Sequence, residues 1–317
     1  MWTTLGDVNS EIEPSVTPLV SVLVPAFNHQ EYIEACLDSV AASGYAPLEI
    51  LVIDDGSTDA TFPRASAWME KNSHMLSRGE VRQQPNEGIT RTLNTLVGMA
   101  LGQYVVILGS DDALEPGGIG IRVAALELHP KWLAVFGDCS VIDSAGRITA
   151  ASALSSLHRA HVPSLRDPRR IARELILKWS VPGPAMMARR SAYSAEGVGQ
   201  YDERLRVEDR DFYLRLLCVS ALGFTPETVA KYRLHGLNSI FQGSSVSRDM
   251  TTAEWQSVSN FRGLNRWLLI LVATRGTCAL SAADQTESGH LVRGAALRLI
   301  GRGLEVIKRV ALVATRL

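Results

Sequence analysis

Residues 19–55 read LVSVLVPAFNHQEYIEACLDSVAASGYAPLEILVIDD. Leu19 to Val24 is an apolar, β-branched run halted by Pro25, which cannot donate to a sheet ladder, so a buried strand ends there. Asn28, followed three positions later by Glu31, has the pattern of a capping box that opens a helix. Ile33, Leu37, Val40 and Ala41 then fall on one face at helical spacing until Gly44 ends the run. Leu48 to Ile53 is a second buried strand, closed by Asp54-Asp55-Gly56-Ser57. Strand, helix and strand within about 35 residues make a βαβ unit, whose helical crossover requires a parallel strand pair.

Outward from this unit the alternation continues more weakly. The pattern predicts a short strand over Val81 to Gln84, a helix over 89–101 and a strand over 103–108. A helix over 116–128 and a strand over 132–136 follow, and the whole reads as an α/β layer around a mostly parallel sheet. Beyond residue 137 the pattern becomes irregular, with helices expected at 168–179 and 208–221 and a strand at 229–234. Near residue 245 the composition shifts to helix formers with scattered arginines. The expected organisation is a flexible arm over 1–17, an α/β domain over 18–245 and a helical tail over 246–317.

The chain has 317 residues, 46% hydrophobic and 21% charged, with a formal net charge of -1. That suits one large domain with an appendage, and the near-zero charge argues against a nucleic-acid partner bound through bulk electrostatics. Cys36, Cys139, Cys218 and Cys278 lie far apart without a C-x-x-C pair, so no disulfide or zinc framework is expected. The first fifteen residues lack the basic and apolar regions of a secretory leader. The longest charge-free apolar stretch near the C-terminus, Trp267 to Thr274, is shorter than the ~20 residues of a spanning helix. The expected location is cytoplasmic, either free or peripheral on the inner face of the membrane.

A second stretch, LGSDDALEPGG at 108–118, puts Asp111 and Asp112 directly behind an apolar run. Adjacent carboxylates repel unless solvent or a cation screens them. Hard oxygen ligands on a loop suit Mg²⁺ or Mn²⁺ bridging to a diphosphate. Equally, Asp112 can cap the helix over 116–128 while Asp111 sits in a turn. Asp54 and Asp55 stand in the same relation to the second strand, where an acid can accept a hydrogen bond from a base imide or a ribose hydroxyl. The alternative there is that Ser57 or Asp59 caps the following helix. Both clusters fall outside the carboxyl ends of strands, where open α/β sheets bind ligands. Neither a G-x-G-x-x-G nor a Walker A stretch occurs, so a nucleotide would not be held as NAD or ATP is in those classes.

VSVLVPAFNHQEYIEACLDSV, LEILVIDDGSTDAT, NEGITRTLNTLVGMALGQYVVILGSDDALEP, VEDRDFYLRL and YRLHGLNSI follow one another in the order and spacing of family 2 glycosyltransferases, which the chain resembles over residues 19–241. The resemblance implies an α/β fold of GT-A type, a Rossmann-like mixed, mostly parallel sheet flanked by helices, here with a C-terminal α-helical appendage. It implies an inverting enzyme that uses a nucleotide-diphosphate sugar donor, with a glycan or lipid-linked saccharide as acceptor. In that register Pro25, Ala26 and Phe27 form the loop against which the base packs, and Asp55 hydrogen-bonds the base with Asp54 beside it. Asp111 matches the last acid of the D-x-D metal motif, but Gly109 stands where many members carry the first. Metal binding, as Mn²⁺ or Mg²⁺, would then rest on Asp111 with Asp112 and His235. Asp209, next to Glu208, matches the general base. By local chemistry alone, acids at 208 and 209 are explained by the positive end of the helix dipole, and His235 by packing. Two rivals remain: a nucleotide-sugar-binding module without catalysis, prompted by Gly109, and a nucleotidyltransferase. The second needs a basic, glycine-rich loop after the first strand, and PAFNHQ is not one.

In the tail, Leu291, Ala295, Leu299, Leu304, Ile307, Val310 and Leu312 recur at near-helical spacing. Arg293, Arg298, Arg302, Lys308, Arg309 and Arg316 are opposed by Glu305 alone. A basic amphipathic helix of this kind can lie on an anionic membrane near a lipid-linked acceptor. It can equally dock on its own domain or on the same helix of a twin subunit.

Overall fold

β1 (Val20–Ala26) and β2 (Leu48–Asp54) are buried at every residue and run parallel, from Val20 opposite Leu48 to Ala26 opposite Asp54. Burial on both faces is why they read as continuous apolar runs without alternation. The crossover between them, α1 (Ile33–Ala41), buries Ile33, Cys36, Leu37 and Val40 against the sheet. The computed structural model describes residues 17–179, 181–205, 207–236, 243–287 and 291–314, so the expected arm lies outside the described residues up to residue 16.

The expected capping box does not form. α1 begins at Ile33, and Asn28 instead takes a left-handed backbone (φ 54) with its side chain bonded to the neighbouring loop. Asparagine tolerates that conformation because its short amide finds local partners.

α2 (Thr61–Asn72) leads to β3 (Arg78–Gln83), parallel to β2, and α3 (Ile89–Met99) leads to β4 (Tyr104–Ile107), parallel to β1. After β5 (Ala113–Leu114) and α4 (Gly118–Leu128) the chain forms β6 (Ala134–Ile142) and β7 (Ile148–Ala150). Three short helices follow: α5 (Ala153–Ser156), α6 (Val162–Leu165) and α7 (Ile171–Leu177). Then come β8 (Met186–Arg189), α8 (Glu208–Cys218) and β9 (Leu222–Arg233). The sheet order is β3-β2-β1-β4-β8-β6-β9-β5, with β7 on β6. It is mixed: β3 to β4 form a parallel half, β8 runs antiparallel to β4 and β6, and β6 and β9 are again parallel.

β6 and β9 are longer than the apolar pattern indicates. Their pairing shifts register around Asp138, and buried polar residues such as Asp138 and Ser140 interrupt the hydrophobic run. A bulge of this kind destroys the period that a strand is read from. α4 is preceded by Gly117, at φ 78, and not capped by Asp112.

The C-terminal helices are α9 (Gly243–Ser257), α10 (Gly263–Glu287) and α11 (Leu291–Ala314). The boundary expected at 245/246 therefore falls inside α9. Phe261, Leu268, Leu269 and Val272 join the same buried cluster as β1 and β2. Arg210 on α8 pairs with Glu254 on α9 at 3.0 Å, both buried. Among the described residues one helical stretch, Gly263–Asp284, is long and apolar enough to cross a bilayer, with mean hydropathy 1.2. This exceeds the expectation from the shorter stretch 267–274, because the two flanking arginines do not outweigh the apolar residues around them. Arg275, near its middle, is paired with Glu305 of α11 at 3.3 Å.

Candidate functional site at the carboxyl edge of the sheet

The loops leaving β1 and β2 are tied together. Asn28 N donates to Ser57 Oγ (2.8 Å), Thr58 N to Asn28 Oδ1 (2.9 Å), His29 N to Thr61 Oγ1 (2.8 Å) and Ala60 N to Gln30 Oε1 (2.9 Å). Gly56 makes the turn possible: its φ is 78, and a Cβ there would sit 2.8 Å from Asn86 N. Of Pro25, Ala26 and Phe27, the first two are buried in β1, while Phe27 is 45% exposed above the laced loops. Only Phe27 is placed to offer a ring to a ligand.

Asp54 and Asp55 are both buried. Asp54 Oδ1 accepts from Ser57 N (3.0 Å) and Gln83 Nε2 (3.1 Å), whereas its Oδ2 has no hydrogen-bond partner among the described residues. Asp55 holds the loop before α3, accepting from Gln84 Nε2 (2.8 Å), Glu87 N (2.8 Å) and Gly88 N (2.9 Å). A carboxylate has about four acceptor positions, so one remains on Asp55 for anything outside the protein.

Asp111 lies where β4 has ended and β5 is about to pair with β9. That pairing brings it to His235, just past β9: Nε2 to Oδ2 is 2.9 Å. His29, from the β1–α1 loop, approaches from the other side, with Nδ1 3.9 Å from Asp111 Oδ1 and 2.8 Å from Ser110 Oγ. One ligand atom from each of His29, Asp111 and His235 lies within 4.8 Å of the others. The two imidazoles meet edge to face at 5.5 Å, and Tyr32 packs on His235 at 5.2 Å beneath the Arg233 guanidinium. Burial lowers the pKa of His29 against the opposing pull of Asp111. That favours the neutral imidazole, the form that binds metals.

The cluster includes His29, which the donor set expected from the sequence lacks, and does not include Asp112. Asp112 is buried and accepts from Arg233 N at 2.8 Å, inside the β5–β9 pairing. Burial first, and the Asp111 charge second, push its carboxyl well above the usual range, toward the protonated form that does not bind cations. The signal for His29 was its position, three residues beyond the end of β1 at the edge that carries both acid pairs. A Cβ on Gly109 would come within 2.8 Å of Asp111 Oδ1 and 3.0 Å of Asp112 Oδ2. A third acid there would crowd both carboxylates.

Glu208 and Asp209 open α8, both half-buried. Burial and then the Asp209 charge push Glu208 up to about 8, and burial raises Asp209 against the pull of Arg210. Asp211, two residues beyond Asp209, is also raised by burial but is paired with Arg215 at 2.8 Å. Tyr232 of β9 connects the two regions: after burial, its phenol is raised by the charges of Asp112, Asp111 and Asp209. Residues 237–240 of the YRLHGLNSI stretch lie outside the described residues.

A family model described as Glycosyl transferase family 2 matches residues 21–196, more than half of the chain. The chain belongs to glycosyl transferase family 2. It is similar to an uncharacterized glycosyltransferase of Haemophilus influenzae, 28% identical over 222 residues that cover 69% of this chain and 66% of the relative. It is also similar to the chondroitin synthase of Pasteurella multocida, 37% identical over 102 residues, or 32% of this chain and 10% of the synthase. The chain thus spans under two thirds of the length of these two relatives. Among solved structures, a mannosyltransferase from Pyrobaculum calidifontis in complex with GDP-Man and Mn²⁺ is 19% identical with a TM-score of 0.58, over 96% of this chain and 87% of that one. S. aureus TarS 1-349 in complex with UDP-GlcNAc is 18% identical with a TM-score of 0.61, over 81% and 71%. These likenesses show the GT-A type of fold that the family resemblance implied.

Proposed function

We propose that the chain is an inverting glycosyltransferase, moving a sugar from a nucleotide-diphosphate sugar to a hydroxyl of a glycan or lipid-linked saccharide. One observation carries this reading: the ligand atoms of His29, Asp111 and His235 converge beyond the strand ends, with the exposed Phe27 ring two residues from His29 on the same loop. Phe27 stacks on the nucleotide base, and the remaining acceptor position of Asp55 takes a base or ribose donor. His29, Asp111 and His235 hold a divalent cation. Their two imidazole nitrogens and one carboxylate suit Mn²⁺ better than Mg²⁺, which prefers an all-oxygen shell. When bound, such an ion offsets the charge that grows on the departing nucleoside diphosphate.

Asp209 takes the proton from the acceptor hydroxyl as that oxygen attacks the anomeric carbon. Its raised pKa brings it nearer the working pH, where a general base is most effective. A single displacement leaves the anomeric centre inverted.

The test separates binding from transfer. Calorimetric titration of UDP-, GDP- and dTDP-sugars, with and without Mn²⁺, is expected to find one donor whose binding Mn²⁺ strengthens. Asp209→Asn should leave that affinity nearly unchanged and lower transfer by roughly 10²–10⁴-fold, the usual worth of a positioned general base. Near-normal transfer in the variant refutes the assignment of Asp209. A donor that the unmodified protein binds but never transfers marks a binding module without catalysis.

A further inference from the structure

We infer that the outer face of α11 is a contact surface for an anionic lipid bilayer. Its inner face, with Gly294 buried and Leu297, Gly301, Leu304 and Ala311 half-buried, is turned toward the rest of the protein. Its outer face is not polar, as an ordinary surface helix would be. Leu299, Ile300, Val306 and Ile307 are between 53% and 66% exposed and follow one another at helical spacing, so that they form one stripe. Gly303 adds no side chain to interrupt it. Arg298, Arg302 and Arg309, all exposed, are spaced to line one edge of that stripe. An apolar stripe bordered by arginine is how a helix lies in a bilayer interface, its aliphatic side chains among the acyl chains and its guanidinium groups at the phosphates.

Charge decides between a membrane and a second copy of the chain. Over its whole length α11 carries five basic residues and a single acid, Glu305. That acid is already held by Arg275 (3.3 Å), Arg309 (3.6 Å) and Lys308 (3.9 Å). A twin helix would bring more arginine and only an acid that is already held by three basic residues, whereas an anionic lipid surface complements the basic edge. The same helical hairpin carries a second patch of this character at the start of α10, where Trp267 is 70% exposed and Leu264, Arg262 and Arg266 are exposed around it. Tryptophan is favoured at the headgroup level of a bilayer. None of this depends on which reaction the sheet edge performs.

The experiment is flotation of the full chain with vesicles of phosphatidylcholine alone or mixed with phosphatidylglycerol. The protein is expected to float with the mixed vesicles, to float poorly with phosphatidylcholine alone, and to be released by high salt. Arg302→Gln with Arg309→Gln should weaken partitioning by roughly fivefold per arginine. Leu299→Ser with Ile307→Ser should weaken it by more than tenfold without lowering the unfolding midpoint, since both side chains are exposed. Failure of the unmodified protein to float with the mixed vesicles overturns the inference. So does a sedimentation result in which the protein is a dimer that the Leu299→Ser, Ile307→Ser variant splits.

Discussion

Replacing Glu254 by alanine is expected to destabilise the whole protein by about 3–5 kcal/mol, the cost of removing one partner from a buried ion pair. Arg210 is 1% exposed, and its Nη2 lies 3.0 Å from Glu254 Oε1. At that distance and an effective dielectric near 20, the Coulomb attraction is about 5.5 kcal/mol. The guanidinium cannot shed its proton to escape. Its other side-chain hydrogen bonds go to the neutral carbonyls of Leu175 (2.7 Å) and Ile176 (3.2 Å), with the Trp179 ring at 5.2 Å and the charge of Asp209 acting on it without a side-chain bond. Glu254→Ala therefore leaves a buried cation between α7, α8 and α9 without its direct ion-pair partner. Urea unfolding followed by circular dichroism measures the effect, as a lower midpoint at unchanged slope. Arg210→Met combined with Glu254→Leu should recover most of the loss, because two apolar side chains carry no desolvation cost. A loss below about 1 kcal/mol in Glu254→Ala would refute the reasoning, showing that the two carbonyls suffice for Arg210.

Two further outcomes concern the site. The acid limb of the transfer rate should lie above the ordinary carboxylate range, because burial raises Asp209. Glu208→Gln should move the limb little, because Glu208, raised to about 8, is still protonated while Asp209 titrates and burial is what raises Asp209; a limb already near pH 4 in the unmodified protein, the ordinary value for an exposed carboxylate, contradicts the raised Asp209. For stability the sign is opposite. The native state holds protons on the pair that the unfolded state has released, so stability falls as pH rises from the ordinary glutamate value toward about 8. Gly109→Asp should weaken Mn²⁺ binding instead of restoring a fuller acidic motif, since its Cβ comes 2.8 Å from Asp111 Oδ1, against the carboxylate that meets His235. Calorimetry with Mn²⁺ and nucleoside diphosphate reads this directly, and tighter binding in the variant disproves it.

The sequence by itself determined the βαβ unit and the sheet edge. β1 and β2 are covered on both faces, and an unbroken apolar run states that burial without reference to any distant residue. It also placed Asp54, Asp55 and Asp111 at strand ends and Asp209 in the first turn of α8, because each follows or opens a legible element. The choice between neighbours was decided only by tertiary structure. A turn closed by Asp112 N on Gly109 O (2.9 Å), together with the pairing of β5 with β9, set which of Asp111 and Asp112 meets His235 and which is buried against Arg233. His29 became a candidate ligand for the same reason: its loop is close to Asp111 in space and far from it along the chain. In α11 the apolar positions were visible, but helical spacing does not say which of two apolar faces is docked. Packing of the hairpin put Leu304 inside and left Leu299 and Ile307 in water.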